Sequence, residues 1–170
     1  MIIDLTATEK TPVSFDFLLP PDAVNSEDEA IKLLEAARVR GALTKRAAGV
    51  NVKGEISARA DLECSRCLRS IEQVLEFPFA AAFVEPENYT RAKDAELRGD
   101  DLEVSVLDSH RIDLSELARE QILLAAPSQI FCAGECKGLC QKCGANRNLV
   151  DCDCEQKEVD PRWAALKNLK

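Results

Sequence analysis

The 170-residue chain has no apolar run approaching the roughly 18 to 20 residues that a membrane-spanning helix needs. No membrane partner is expected. Its start, MIIDLTATEK, shows neither a basic leader nor an apolar core of the secretory kind. That predicts a cytoplasmic protein whose thiols stay reduced. Histidine is almost missing, with His110 alone in LDSHRID, a predicted turn before a helix. There is no glycine-rich phosphate loop and no nucleophile elbow. These absences predict a protein that is not an enzyme and takes no small-molecule substrate. Positive charge is also short: 22 Lys and Arg face 30 Asp and Glu, for a net charge of −8. A balance of that sign argues against non-specific binding to naked nucleic acid but leaves room for a local basic patch. Internal repeats and low-complexity tracts are lacking.

What is present suffices for a core, at 46% hydrophobic residues. The length suits one domain, or one domain with a small appended module. Val13, Phe15, Phe17 and Leu19 alternate with polar residues and predict a strand. SEDEAIKLLEAA opens with a Ser-x-x-Glu signature and predicts a short helix, followed by a strand through Ala37, Val39, Gly41 and Leu43. Val50, Val52, Gly54, Ile56, Ala58, Ala60 and Leu62 then share one parity, with polar residues on the other. This is the mark of a strand with one wet face. Ile71, Leu75, Phe77, Phe79, Ala81 and Phe83 predict its partner, which places CSRC, Cys64 to Cys67, at a hairpin tip. The charged stretch from Glu85 to Asp101 predicts a long loop, and LEVSV a further strand. DLSELAREQILLAAP predicts a helix over 113–126, capped by Asp113 and Glu116 and stopped by Pro127. Its apolar face is read as Leu114, Leu117, Ala118, Gln121, Ile122, Leu124 and Ala125. A final helix is expected from Asp160 and Pro161. The fold class expected is α+β: a mostly antiparallel, barrel-like β-sheet packed by helix 113–126. The expected division is 1–131 for this β-rich domain and 132–170 for a Cys-rich zinc-knuckle module with a C-terminal helix, linked through a shared metal site.

Eight cysteines stand out: Cys64, Cys67, Cys132, Cys136, Cys140, Cys143, Cys152 and Cys154. Structural zinc takes four thiolates in a tetrahedron, and a short gap lets one turn supply two of them. Eight cysteines make two such sets. Gly144 follows the Cys140/Cys143 gap, where knuckle turns need a positive φ. In one partition Cys140, Cys143, Cys152 and Cys154 close on themselves, and Cys132 and Cys136 join Cys64 and Cys67. In the other, the two Cys-x-x-Cys pairs share one metal. The first is preferred because it makes one site of short loops and one long-range staple, whose closure entropy grows only slowly with length. Two zinc ions are expected, and a single filled site is the other occupancy the spacing allows. Iron also suits such ligands. Disulfides would suit a secreted chain, and a redox Cys-x-x-Cys belongs before a helix rather than on a hairpin.

LECSRCL on a hairpin, IDLSELAREQILLAAP, then C-x3-C-x-G-L-C-x2-C-G-x-N-x-N and a final C-x-C before DPRW resemble the YceD family of large ribosomal RNA subunit accumulation proteins. The resemblance runs over roughly residues 37–170, and the order of the motifs makes it specific. It departs at Ile130 and Phe131, where a Pro-Leu approach to the first cysteine of this segment is usual, and at Arg147, where leucine is common. The resemblance implies support of 23S ribosomal RNA accumulation and large-subunit assembly. It carries the family's cysteine positions onto all eight cysteines here.

The partners it implies are 23S rRNA or a pre-50S particle. Candidate RNA-contacting residues are Arg66, Lys137, Lys142, Asn146, Arg147 and Asn148. The basic residues flank the cysteines with no acid from Cys136 to Val150, and exposed loop amides suit RNA edges. Each has a plainer reading: lysines offset the negative charge of a zinc–thiolate centre, and asparagines suit tight turns. The alternative function is a zinc-stapled adaptor for a basic ribosomal protein, without RNA contact, which the acidic balance favours.

Overall fold

The computed structural model describes residues 1–6, 12–25, 31–47, 49–89, 104–107 and 110–154. These form two compact units. One comprises 1–62 and 72–128, the other 63–71 and 129–170.

The first unit is built on strands β1 (Ile2–Asp4), β2 (Val13–Leu19), β3 (Ile31–Leu33), β4 (Ala37–Arg46), β5 (Gly49–Glu63), β6 (Ser70–Val84), β7 (Val104–Val106) and β8 (Arg111–Asp113), and on helix α1 (Leu114–Ala125). The large sheet runs β2-β4-β5-β6-β7, and β3 pairs with β5 beside that path. It is not closed into a barrel, which corrects the barrel-like expectation. Strand β7 lies parallel to β6, while the pairings of β2 with β4, β4 with β5 and β3 with β5 are antiparallel. A separate ribbon pairs β1 with β8.

The alternation in β5 does what period two requires. Val50, Val52, Ile56, Ala58, Ala60 and Leu62 are buried, and Lys53, Glu55, Ser57 and Arg59 face solvent. Burying each larger side chain stabilises the fold by about 1.5–3 kcal/mol. Arg38 with Asp16 and Arg40 with Glu55 pair at 2.8 Å across the wet face. In β6 the parity is as expected, but of its apolar positions only Phe79 is buried.

One row crosses the sheet where two glycines meet two aromatic rings. Phe15 is opposite Gly41, and Gly41 is opposite Gly54. A Cβ on Gly41 would sit 2.7 Å from the Phe15 ring, and one on Gly54 2.7 Å from the Phe79 ring. Two absent side chains make room for two aromatic rings.

Two expectations are corrected here. Ile31–Leu33 is a strand rather than part of a helix, and residues 26–30 lie outside those described. Ile31 and Leu33 are buried while Lys32 points out, so a place opposite Ala60–Leu62 of β5 outweighs the local capping signature. On α1, Leu124 is 77% exposed, so the apolar face is narrower than read and rests on Leu114, Leu117, Ala118 and Ile122. Asp113 caps the helix, accepting from the Ser115 and Glu116 N–H groups at 2.8 and 3.4 Å. Ala126 is extended, as the residue before Pro127 must be. The expected C-terminal helix and most of the Glu85–Asp101 loop lie outside the described residues.

Candidate metal centre

The second unit gathers all eight cysteines. After β5, Ser65–Cys67 form a tight turn. The Leu68 N–H donates to the Cys64 carbonyl, and the Cys64 N–H to the Arg69 carbonyl, both at 2.9 Å. The returning chain docks on this tip through two bonds: Ser65 N–H to the Ile130 carbonyl at 2.8 Å, and Ile130 N–H to Ser65 Oγ at 3.1 Å. That register delivers Cys132 and Cys136. The sulfurs of Cys67 and Cys132 are 3.6 Å apart and those of Cys64 and Cys136 are 3.9 Å apart. All four lie within 4.8 Å of one another.

Cys140, Cys143, Cys152 and Cys154 form the second group, also within 4.8 Å. Its knuckle closes through Gly144 N–H to the Cys140 carbonyl at 2.9 Å and Cys140 N–H to the Ala145 carbonyl at 2.8 Å. Gly144 has the positive φ, 72°, that its position after the gap requires. Leu68 takes the same place after Cys67 with φ 58°.

Both groups suit a tetrahedral ion. With zinc–sulfur bonds of about 2.3 Å, neighbouring sulfurs stand about 3.8 Å apart. The two sulfur pairs above match that edge in the first group, and the four sulfurs of the second lie within 4.8 Å of one another, so each group could hold one metal ion such as zinc. Four thiolates would close the coordination and leave no open position for a reacting water, as in structural zinc sites. Burial differs between the groups. Cys64, Cys67 and Cys136 are buried, whereas Cys143 is exposed and Cys152 and Cys154 are half-buried.

The thiols are tuned in opposite directions. Burial pushes Cys64 up, but the N–H groups of Arg66, Cys132 and Cys67 aim at its sulfur and bring it down to about 6. Cys140 falls to about 6 as well, through the Cys143 and Lys142 N–H groups. Within each group the crowded sulfurs make some of their neighbours harder to ionise. Cys132 is pushed up to about 12 by the sulfurs of Cys67 and Cys136, and Cys154 to about 11 by Cys143.

Between the groups the chain is braced by the two asparagines. The Asn148 carboxamide accepts from Lys137 N–H at 2.8 Å and donates to Cys136 Sγ at 3.3 Å and to Asn146 Oδ1 at 2.9 Å. Asn146 Oδ1 also accepts from Asn148 N–H. Burial pushes the Cys136 thiol up, but the Asn148 amide and nearby donors outweigh it, and the net shift is downward. The backbone alignment continues through Leu139 N–H to the Arg66 carbonyl and Arg147 N–H to the Gly138 carbonyl, both at 3.0 Å. Arg66, Lys137 and Lys142 are exposed and Arg147 is half-buried. Phe131 went unnoticed in the sequence as a site residue. The Arg66 guanidinium lies 4.4 Å from its ring centroid, and nothing in local spacing announces that contact. His110 belongs to the first unit, where it is exposed and lines a cavity of about 290 Å³ with Lys45, Arg46 and Glu85. Among the described residues no helix is long and apolar enough to cross a membrane.

The family model described as "Large ribosomal RNA subunit accumulation protein YceD" matches residues 52–170, which take in both cysteine groups. The chain belongs to the YceD family. Two further proteins are similar to the chain. The "Uncharacterized protein YlbN" of Bacillus subtilis (strain 168) is 28% identical over 169 residues, covering 99% of this chain and 94% of that protein. The "Large ribosomal RNA subunit accumulation protein YCED homolog 1, chloroplastic" of Arabidopsis thaliana is 41% identical over 59 residues, which are 35% of this chain and 18% of the plant protein. No solved structure matches. The YceD name itself implies a part in accumulation of the large ribosomal subunit's RNA.

Proposed function

We propose that this YceD-family chain supports accumulation of 23S ribosomal RNA and large-subunit assembly by binding, not by catalysis, and that it contacts rRNA or a pre-50S particle through the cysteine-rich unit. On this reading two zinc ions, held by Cys64, Cys67, Cys132 and Cys136 and by Cys140, Cys143, Cys152 and Cys154, give the unit its shape in the cytoplasm. Structural zinc commonly supplies the folding energy that so small a segment lacks.

The observation that carries the reading is the backbone alignment. Hydrogen bonds seat Arg66 beside Leu139, and Gly138 beside Arg147. Lys137 adjoins that seam, and Lys142 sits in the knuckle. Arg66, Lys137, Lys142 and Arg147 carry the phosphate contact, while Asn146 and Asn148 hold the loop that presents them. Phosphates are met by such side chains irrespective of base sequence, so binding weakens as salt rises. The net charge of −8 supports a second reading, in which acidic surface elsewhere receives a basic ribosomal protein within the same particle.

Crosslinking in cells tests the proposal. Direct crosslinks from the 129–154 segment to 23S rRNA are expected. Crosslinks confined to proteins would leave only the adaptor reading.

A further inference from the structure

The hairpin tip also brings a cation and an aromatic ring together beside the first sulfur group. Phe131 keeps 39% of its surface exposed, with the Arg66 guanidinium 4.4 Å from its ring centroid. Neither side chain hangs loose. Arg66 Nη1 donates to the Cys136 carbonyl at 3.0 Å, and the Arg66 carbonyl accepts from Leu139 N–H. Phe131 lies between Ile130, which is bonded twice to Ser65, and Cys132 of the first sulfur group. Among the described residues no carboxylate pairs with Arg66. A planar cation and an aromatic ring are thus held together at the surface.

We propose that the Arg66–Phe131 pair is a stacking platform for one unpaired nucleobase of RNA. The inference rests on the RNA-contact reading above and specifies it: single-stranded or looped RNA rather than duplex. Unstacked bases are recognised on aromatic rings and guanidinium planes, because every base offers a π-face of matching shape. Base-paired nucleotides cannot offer that face. Lys137, adjoining the seam that holds Arg66, supplies charge for the flanking phosphate. The same contact keeps the guanidinium available, since its carbonyl anchor leaves the cation un-neutralised.

The test uses the full metal-loaded chain, with oligo(A), oligo(C), oligo(G) and oligo(U) single strands and an A·U duplex of equal length, followed by fluorescence anisotropy. Phe131→Leu keeps apolar volume at a partly exposed position, and its metal content reports whether the tip is intact. With metal content unchanged, Phe131→Leu is expected to weaken single-strand binding about tenfold or more and leave duplex binding unmoved. Phe131→Trp should match or exceed the parent, and photocrosslinks to a single strand should include Phe131. If Phe131→Leu binds every strand as the parent does, while Lys137→Ala with Lys142→Ala lowers binding, the platform is wrong and the RNA reading survives. If the parent binds none of the strands, both fail. Loss of a basic-protein partner but not of RNA on Phe131→Leu would make the pair a protein contact and overturn the proposal.

Discussion

Leu68 occupies the place in the first knuckle that Gly144 occupies in the second, and both backbones are left-handed, with φ of 58° and 72°. Leucine bears a Cβ penalty there of about 1–2 kcal/mol, which glycine escapes. Leu68 is also 59% exposed, so little burial offsets the strain. Leu68→Gly is expected to stabilise the metal-loaded protein by about 0.5–1 kcal/mol in urea unfolding. Gly144→Ala should destabilise it by about 1 kcal/mol, through the backbone alone, since nothing lies within 4 Å of a Cβ at that position. Equal stability of both variants and parent would show that the two turns relax.

The paired glycines of the sheet make a second prediction. A Cβ at Gly54 would stand 2.4 Å from the Arg40 carbonyl oxygen and 2.7 Å from the Phe79 ring. Gly54→Ala should therefore cost about 1–3 kcal/mol by thermal unfolding. Part of that loss should return when Phe79→Leu is added, because the two changes share a contact.

Asn148 is expected to tune the first metal site from outside its ligand set. Asn148→Ala removes the amide at Cys136 Sγ and the acceptor for Lys137 N–H. Metal affinity of that site should fall about tenfold to a hundredfold in chelator competition. Asn148→Asp should fall further, since a carboxylate beside thiolates is repelled.

Burial predicts two rates of metal loss. A chelator should strip the group containing exposed Cys143 first and the group with buried Cys64, Cys67 and Cys136 later. Cys143→Ser should abolish the fast phase alone, and Cys67→Ser the slow one. A single phase in the parent would mean that the two sites open together.

Protons should accompany the metal. Cys67 and Cys132 in one group, and Cys152 and Cys154 in the other, are shifted upward and hold their protons near neutral pH. Loading the apoprotein there should release at least these two protons per ion, measurable by calorimetry in buffers of different ionisation enthalpy. In the apoprotein the lowered thiols, Cys64 and Cys140, contribute stability that is fully present above pH 9.0 and lost as pH falls through about 6. The raised thiols Cys132 and Cys154 contribute below pH 9.0, and that is lost as pH climbs towards about 12 and about 11 respectively.

Legibility in the sequence followed the range of the interaction. Strand β5 could be read because alternate residues of one strand face one way. The Asp113 cap and the left-handed Gly144 could be read because each depends on a few adjacent residues. Ile31–Leu33 misled because a local capping signature stood beside a strand whose partner lies some thirty residues on, at Ala60–Leu62. The openness of the sheet, the parallel pairing of β7 and the exposure of Leu124 likewise depend on neighbours that no local pattern names.

By itself the sequence determined eight cysteines as two sets of four, the parity of the long hairpin, the Asp113 cap and the motifs of the YceD family, since all of these are matters of count and short spacing. The tertiary structure decided which sulfurs meet. Cys64 and Cys136 are 72 positions apart in the chain, yet their sulfurs lie 3.9 Å apart. They meet because Ser65 and Ile130 bond in one register, and the same register sets the Arg66 cation on the Phe131 ring. Short spacings shape a turn, but only hydrogen bonds between distant segments choose which turns face each other.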